Sequence, residues 1–205
     1  MTKPIAAAPG AWLYPGYLSP QRQAAVLAAL RAVVDQAPLF APVMPRTGKP
    51  FSVSMTNCGP LGWVSDQAGY RYQPQHPVTG RPWPAMPAEI AAVWAELLPD
   101  APAPEACLVN YYAQSAKMGL HQDRDERAFD VPVLSISLGD EARFRIGGAT
   151  RNAPTRAFPL RSGDVFTFGA ESRLAFHGID RILGGTSALL PEGGRFNLTL
   201  RRVTP

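Results

Sequence analysis

"RFNLTLR", residues 195–201, alternates without exception: Arg195, Asn197, Thr199 and Arg201 fall on one face of an extended strand, and Phe196, Leu198 and Leu200 on the other. Such a strand has an apolar core behind it. Its polar face reaches solvent, pairs with Asp or Glu, or meets an anion, because buried guanidinium groups are costly unless paired. Upstream the same grammar repeats. "ACLVNYY" (106–112), "VPVLSISL" (131–138), "ARFRIGG" (142–148), "DVFTFG" (164–169) and "RLAFHGI" (173–179) read as short strands divided by Gly, Asp or Pro. No long helical pattern interrupts the series, so residues 105–205 are expected to form an antiparallel sandwich or jelly roll.

The first 104 residues read differently. "SPQRQAAVLAALRAVVDQA" (19–37) predicts a helix capped by Ser19 with Pro20 in its first position, and a second helix follows "MPAEI" with Ile90, Val93, Trp94 and Leu97 at helical spacing. Between them, residues 46–87 carry Phe51, Trp63, Tyr70, Tyr72 and Trp83 among glycines and prolines. Aromatics held on turns can form a recognition surface or fill a satellite core, and at this level the two readings are equal. His76, beside Pro77, reads as a surface histidine. The expectation is therefore one unit, mainly β with flanking helices: residues 1–104 as helices and an aromatic loop region, packed on a core of residues 105–205.

Composition narrows the class. Apolar residues make up 46% and charged residues 18%, a globular balance, while 22 prolines and 18 glycines favour turns and strands over long helices. The net charge is +4, and 13 of the 20 Lys and Arg lie after residue 100. That excess suits a polyanionic partner but is more often a solubility feature. Only Cys58 and Cys107 are present, which indicates neither a disulfide framework nor a zinc knuckle. No long uncharged apolar run and no signal peptide are recognisable, so a cytoplasmic monomer without a membrane partner is expected.

The chemistry concentrates in "GLHQDRDE" (119–126). On an extended chain, His121 and Asp123 point the same way, close enough to share an ion. The pair alone is a weak signal; "FHG" supplies His177 on another strand. Two histidines and a carboxylate form the facial triad of non-haem Fe(II) oxygenases, which leaves coordination positions open for a chelating co-substrate and O2. The arginine face of 195–201 would then meet a dicarboxylate, since guanidinium and carboxylate match as a fork. Two other readings stay open: an oxygenase acting on protein or small molecules, and a jelly-roll binding module holding zinc or no metal.

"SVSMTNCGPLGW" (52–63), "GRPWPAMP" (80–87), "CLVNYYAQSAKMGLHQDRDE" (107–126), "ESRLAFHGI" (171–179) and "RFNLTLR" together resemble the bacterial AlkB family of Fe(II)- and 2-oxoglutarate-dependent DNA and RNA dealkylases, over essentially the whole chain. The resemblance implies a double-stranded β-helix with an N-terminal helical and aromatic nucleotide-recognition lid. It assigns Fe(II) to His121, Asp123 and His177, and 2-oxoglutarate to Asn110, Tyr111 and Tyr112, with Arg195 on the distal carboxylate and Asn197 and Arg201 in support. Trp63 would press an alkylated base against His121, while Tyr70, Arg71 and Tyr72 meet the sugar-phosphate backbone. Asp125 would read the exocyclic amino group and Arg151 complete the substrate side. The implied reaction consumes O2 and 2-oxoglutarate, gives succinate and CO2, and removes the N-methyl group of N1-methyladenine or N3-methylcytosine as formaldehyde. The substrate is single-stranded or base-flipped DNA, with RNA as an alternative. Tyr111, Phe51 and Arg124 depart from the best-known relative, and "LGGTSALLPEGG" (183–194) carries no assignment.

Overall fold

The computed structural model describes residues 3–205. Strand β13 (Arg195–Arg201) pairs antiparallel with β6 (Ala106–Tyr112) on one side and with β8 (Val133–Gly139) on the other. Around this trio the major sheet extends through β11 (Val165–Phe168), β2 (Ala11–Tyr14) and β1 (Ile5–Ala8) on the β8 side, and through β3 (Ser54–Cys58) beyond β6. A second sheet has the order β10 (Arg156–Leu160), β9 (Glu141–Ile146), β12 (His177–Leu183), β7 (Met118–His121). A separate hairpin joins β4 (Gly62–Asp66) to β5 (Gly69–Gln73).

Period-2 alternation sorts the side chains into layers. On β8, Leu134, Ile136 and Leu138 turn to one side and pack with Leu27 and Leu30 of α1 (Pro20–Gln36) and with Ile90, Val93 and Trp94 of α2 (Ala88–Leu97). Facing the opposite way, Val133, Leu108, Phe166 and Phe168 meet Phe144, Ile146, Ile179 and Ile182 of the second sheet. The result is helices, major sheet, minor sheet: a double-stranded β-helix with helices on its outer face. Both helices start where the sequence reading places them, and Ser19 caps α1 by accepting the Arg22 N–H at 3.3 Å.

Other expectations shift. "RLAFHGI" is not one strand: Ala170–Ser172 form a single 3-10 turn, Ala170 has a left-handed φ of 46°, and the strand begins only at His177. The boundary expected at 104–105 falls in the loop between α2 and β6, yet β1, β2 and β3 from before it are members of the major sheet. The first hundred residues thus supply three strands of the major sheet. His76 is not on the surface. It is 2% exposed, packed between Phe40 and Trp83, with Nδ1 accepting the Val78 and Thr79 N–H groups and Nε2 donating to the Pro38 carbonyl. It shapes a turn.

The second sheet positions the chemistry. β12 and β7 pair so that His177 stands directly opposite His121. The next residue, Gly178, allows the close approach: a Cβ there would lie 2.6 Å from the Met118 carbonyl oxygen and 3.0 Å from the Gly119 carbonyl. A Gly178→Ala variant is expected to lose about 1–3 kcal/mol of stability through overpacking. Hydrogen exchange should accelerate in residues 118–121 while β8 and β13 keep their protection; urea unfolding and peptide-resolved exchange read both effects.

Candidate active site

Between the sheets lies a cavity of about 510 Å³. Its floor is the polar half of the alternation on three neighbouring major-sheet strands: Asn110 and Tyr112 from β6, Ser135 from β8, and Asn197, Thr199 and Arg201 from β13. Phe144, Phe166 and Phe168 wall it, and Phe51, Trp63 and Tyr70 stand among its lining residues from the N-terminal segment.

His121, Asp123 and His177 converge here, each offering one ligand atom, all within 4.8 Å of one another. Asp123 Oδ1 lies 3.8 Å from His121 Nε2 and 3.9 Å from His177 Nε2. The ring partners settle the tautomers. His121 Nδ1 meets the Gly119 carbonyl at 3.0 Å, and His177 Nδ1 meets the Ala175 carbonyl at 2.9 Å. A carbonyl only accepts, so each Nδ1 carries a proton and each ring is turned with Nε2 towards Asp123, the orientation metal-binding histidines take.

Electrostatics favour the same states. Burial opposes ionisation of Asp123, but Arg201, helped by His177 and His121, outweighs it and holds the carboxyl well below its ordinary range. Arg201 donates to Asp123 Oδ2 through Nε at 3.0 Å and Nη2 at 2.8 Å, leaving Oδ1 to the histidines. Burial, then the neighbouring His121, pushes His177 down to about 4, so it is neutral near pH 7. Two imidazoles with one ionised carboxylate are the donor set a divalent transition metal takes.

On the same face of β13 as Asn197, at the start of the strand, sits Arg195, fully buried, with Nη1 donating to the Leu160 carbonyl at 3.1 Å and Nη2 to Ser137 Oγ at 2.6 Å. Burial lowers this guanidinium to about 10, still a cation at neutral pH. Among the described residues, Arg195 Nε and Asn110 Oδ1 are buried polar atoms without a partner. Both lie on the polar side of paired strands β13 and β6, and open capacity of that kind fits a polar ligand.

Most of the residues expected at the site come together. His121, Asp123, His177, Asn110, Tyr112, Asn197, Arg201, Trp63, Tyr70, Asp125 and Arg151 all line the cavity. Four do not. Arg195 shares the face of Asn197 on β13 but is not among the residues that line the cavity. Tyr111 falls on the opposite face of β6 because the period is two; it packs on Phe196 and reaches the Gly193 carbonyl, so a cofactor contact is not available to it. Arg71 is spent within its own hairpin, forked onto Asp66 at 2.9 and 2.7 Å. Tyr72 turns inward and donates to Glu126. The sequence reading missed Glu126 and Arg173, which hold the "HQDRDE" turn from behind; Arg173 Nη1 donates to the Asp123 carbonyl at 2.7 Å.

The aromatic block divides between its two readings. Phe40, His76 and Trp83 form a satellite core, with Trp83 packed beside Val64. Phe51, Trp63 and Tyr70 form the cavity rim; Tyr70 stacks on Trp63 at 5.6 Å and 17°, and the Trp63 indole N–H donates to Asp125 Oδ2 at 2.8 Å.

A jelly roll with a His-Asp-His cluster beside a cationic, polar pocket defines a class, the Fe(II)- and 2-oxoglutarate-dependent dioxygenases. The comparisons agree. The family described as "2OG-Fe(II) oxygenase superfamily" matches residues 10–201. An alpha-ketoglutarate-dependent dioxygenase AlkB homolog of Caulobacter vibrioides is 53% identical over 99% of this chain and 92% of its own. The alpha-ketoglutarate-dependent dioxygenase AlkB of Escherichia coli is 45% identical over 83% of this chain and 80% of its own. The solved structure of OsALKBH1 superimposes with a TM-score of 0.80 at 30% identity, covering 98% of this chain and all of that one. The chain belongs to the 2OG-Fe(II) oxygenase superfamily and, within it, to the AlkB dioxygenases.

Removing the partner of a buried carboxylate is costly, so Arg201→Leu should destabilise the metal-free protein by about 3–5 kcal/mol at pH 7. The sign with pH follows from Asp123. Its pKa is depressed in the folded protein, so its pairing stabilises above the ordinary Asp range and the benefit is lost as pH falls. In the variant the unpaired carboxyl titrates higher, so the gap between the two proteins should narrow from pH 7 to pH 5 in urea unfolding.

Proposed function

We propose that the chain is an oxidative demethylase of N-alkylated nucleobases, with His121, Asp123 and His177 as ligands of Fe(II). Asn110, Tyr112, Arg195, Asn197 and Arg201 hold 2-oxoglutarate, and the hairpin β4–β5 with Phe51 serves as the nucleotide-recognition lid. The observation that carries the substrate class is the rim. One edge of the Trp63 indole is tied to Asp125 and one face is covered by Tyr70, and this aromatic pair and its carboxylate line the same cavity as the His-Asp-His cluster.

Each feature has a matching property of the substrate. A base within a duplex stack is out of reach, so it enters single-stranded or flipped. Stacking on an aromatic face adds about 1–3 kcal/mol of sequence-tolerant affinity per base. N1-methyladenine and N3-methylcytosine are cationic, so the Asp125 carboxylate prefers them to their neutral parents, and a methyl that blocks pairing eases extrusion. To accept the base amino group, Asp125 relinquishes or shares the indole N–H it now holds.

Bound iron with 2-oxoglutarate supplies the O2 chemistry that oxidises the N-methyl group, which leaves as formaldehyde with succinate and CO2 as co-products. The chain's part is to keep Asp123 ionised, to keep His177 neutral, to place a cationic guanidinium near the co-substrate, and to wall the cavity with phenylalanine against water. All of these residues come from one polypeptide, so a monomer suffices. The place of action we assign is the cytoplasm, acting on DNA with RNA as an alternative substrate.

Two substitutions separate the two halves of the site. Arg195→Met removes a charge-assisted fork worth about 1.5–3 kcal/mol, so KM for 2-oxoglutarate should rise about ten- to a hundredfold. Trp63→Ala should instead raise KM for a methylated oligonucleotide by about five- to a hundredfold and leave 2-oxoglutarate affinity unchanged. Formaldehyde release from oligonucleotides carrying N1-methyladenine or N3-methylcytosine is the assay; no release from any methylated oligonucleotide, beside turnover of another substrate class, would sink the reading.

A further inference from the structure

The acid after Asp125 is absent from the scheme above and is far more deeply buried. Glu126 is 4% exposed. Tyr72, on β5 of the hairpin, donates its hydroxyl to Glu126 Oε1. Arg201 Nε stands 3.3 Å from that same oxygen, and Arg173 Nη2 donates to Oε2 at 3.1 Å. Both arginines also hold Asp123: Arg201 by its carboxylate, and Arg173 by its backbone carbonyl. Two buried acids and two buried arginines thus form one closed network, and the only hairpin residue that enters it is Tyr72.

The position of Tyr72 is set by the hairpin ladder, in which it pairs with Trp63. Burial raises its phenol well above the ordinary range, so it remains a hydroxyl able to donate. Arg201 Nε is the shared element, within reach of Asp123 Oδ2 and Glu126 Oε1 alike. While Tyr72 satisfies Glu126, the guanidinium fork stays on Asp123. When the hairpin lifts, Glu126 loses a donor in a low-dielectric site and competes for Arg201, because a buried carboxylate left short of partners is costly.

We infer that Glu126 is a positioning residue that couples the seating of the β4–β5 hairpin to the placement of the metal-ligating Asp123 carboxylate. By linkage the coupling is reciprocal: an ion held by His121, Asp123 and His177 favours the seated hairpin, and a seated hairpin tightens the ion. Substrate seated under the hairpin and metal on the far side of Arg201 then report on each other through four side chains. This inference rests on the metal assignment and not on the nucleobase assignment, so it is tested without nucleic acid.

The experiment uses Mn(II) as a redox-stable ion, the wild-type protein, and Tyr72→Phe, which removes one hydroxyl and keeps the ring. Mn(II) should slow hydrogen exchange in residues 62–73 of the wild type several-fold. In Tyr72→Phe that slowing should vanish and Mn(II) affinity should fall about five- to tenfold, although Tyr72 is no ligand. A merely structural anchor would speed hairpin exchange in the variant while leaving Mn(II) affinity as in wild type. Unchanged affinity, equal Mn(II)-induced protection in both proteins, or no protection in the wild type each overturns the coupling. If Mn(II) fails to bind the wild type at all, the metal assignment falls, and the coupling with it.

Discussion

The structure turns on one buried ion pair, Asp123 with Arg201. Arg201 closes β13 in the major sheet, and Asp123 follows β7 in the minor sheet, so the pair bridges the two sheets beside the cavity. Either charge alone would be costly there, since desolvating an isolated ion costs several kcal/mol. Together they divide the carboxylate between two tasks, with Oδ2 given to the fold and Oδ1 to the histidines. The residues of the turn arrange themselves around that division. Arg173 fixes the Asp123 backbone, and Glu126 balances the second positive charge.

Because the pair is shared by fold and site, the stability of the protein and its metal chemistry are hard to separate. A substitution at Arg201 alters both, which is why variants at Arg195 and in the β4–β5 hairpin are more informative about function. Neutral His177 has the same double origin: burial that supports the core also strips its proton. The site is pre-organised by packing, with each Nδ1 spent on a backbone carbonyl two residues earlier in the chain.

Much of this was legible in the sequence, for physical reasons. Strict alternation in "RFNLTLR" and in "LSISL" (134–138) encodes which face meets the helices and which the cavity, and Ser19-Pro20 marks a helix start. The same rule, applied to "ACLVNYY", would have turned Tyr111 away from the cavity while keeping Asn110 and Tyr112; resemblance alone drew it in. What stayed hidden depends on long-range contacts. Strands β1, β2 and β7 are four residues each, too short for a period to register. His76 is buried by Phe40 and Trp83 from elsewhere in the chain, and Arg71 is neutralised by Asp66 across a turn. Glu126 looked like one more charge in a charged run; only the arrival of Arg173, Arg201 and Tyr72 makes it a buried group.

The central claim is that one cavity holds a metal, 2-oxoglutarate and an alkylated base at once, with the floor serving the co-substrate and the rim the base. An anaerobic crystal structure with Mn(II), 2-oxoglutarate and an oligonucleotide containing N1-methyladenine tests it most directly. The account predicts metal on His121, Asp123 and His177, the co-substrate against Asn110, Asn197 and Arg195, and the flipped base between Trp63 and His121 with its amino group on Asp125. A base bound outside the Trp63 rim, or 2-oxoglutarate held away from Arg195, would contradict it.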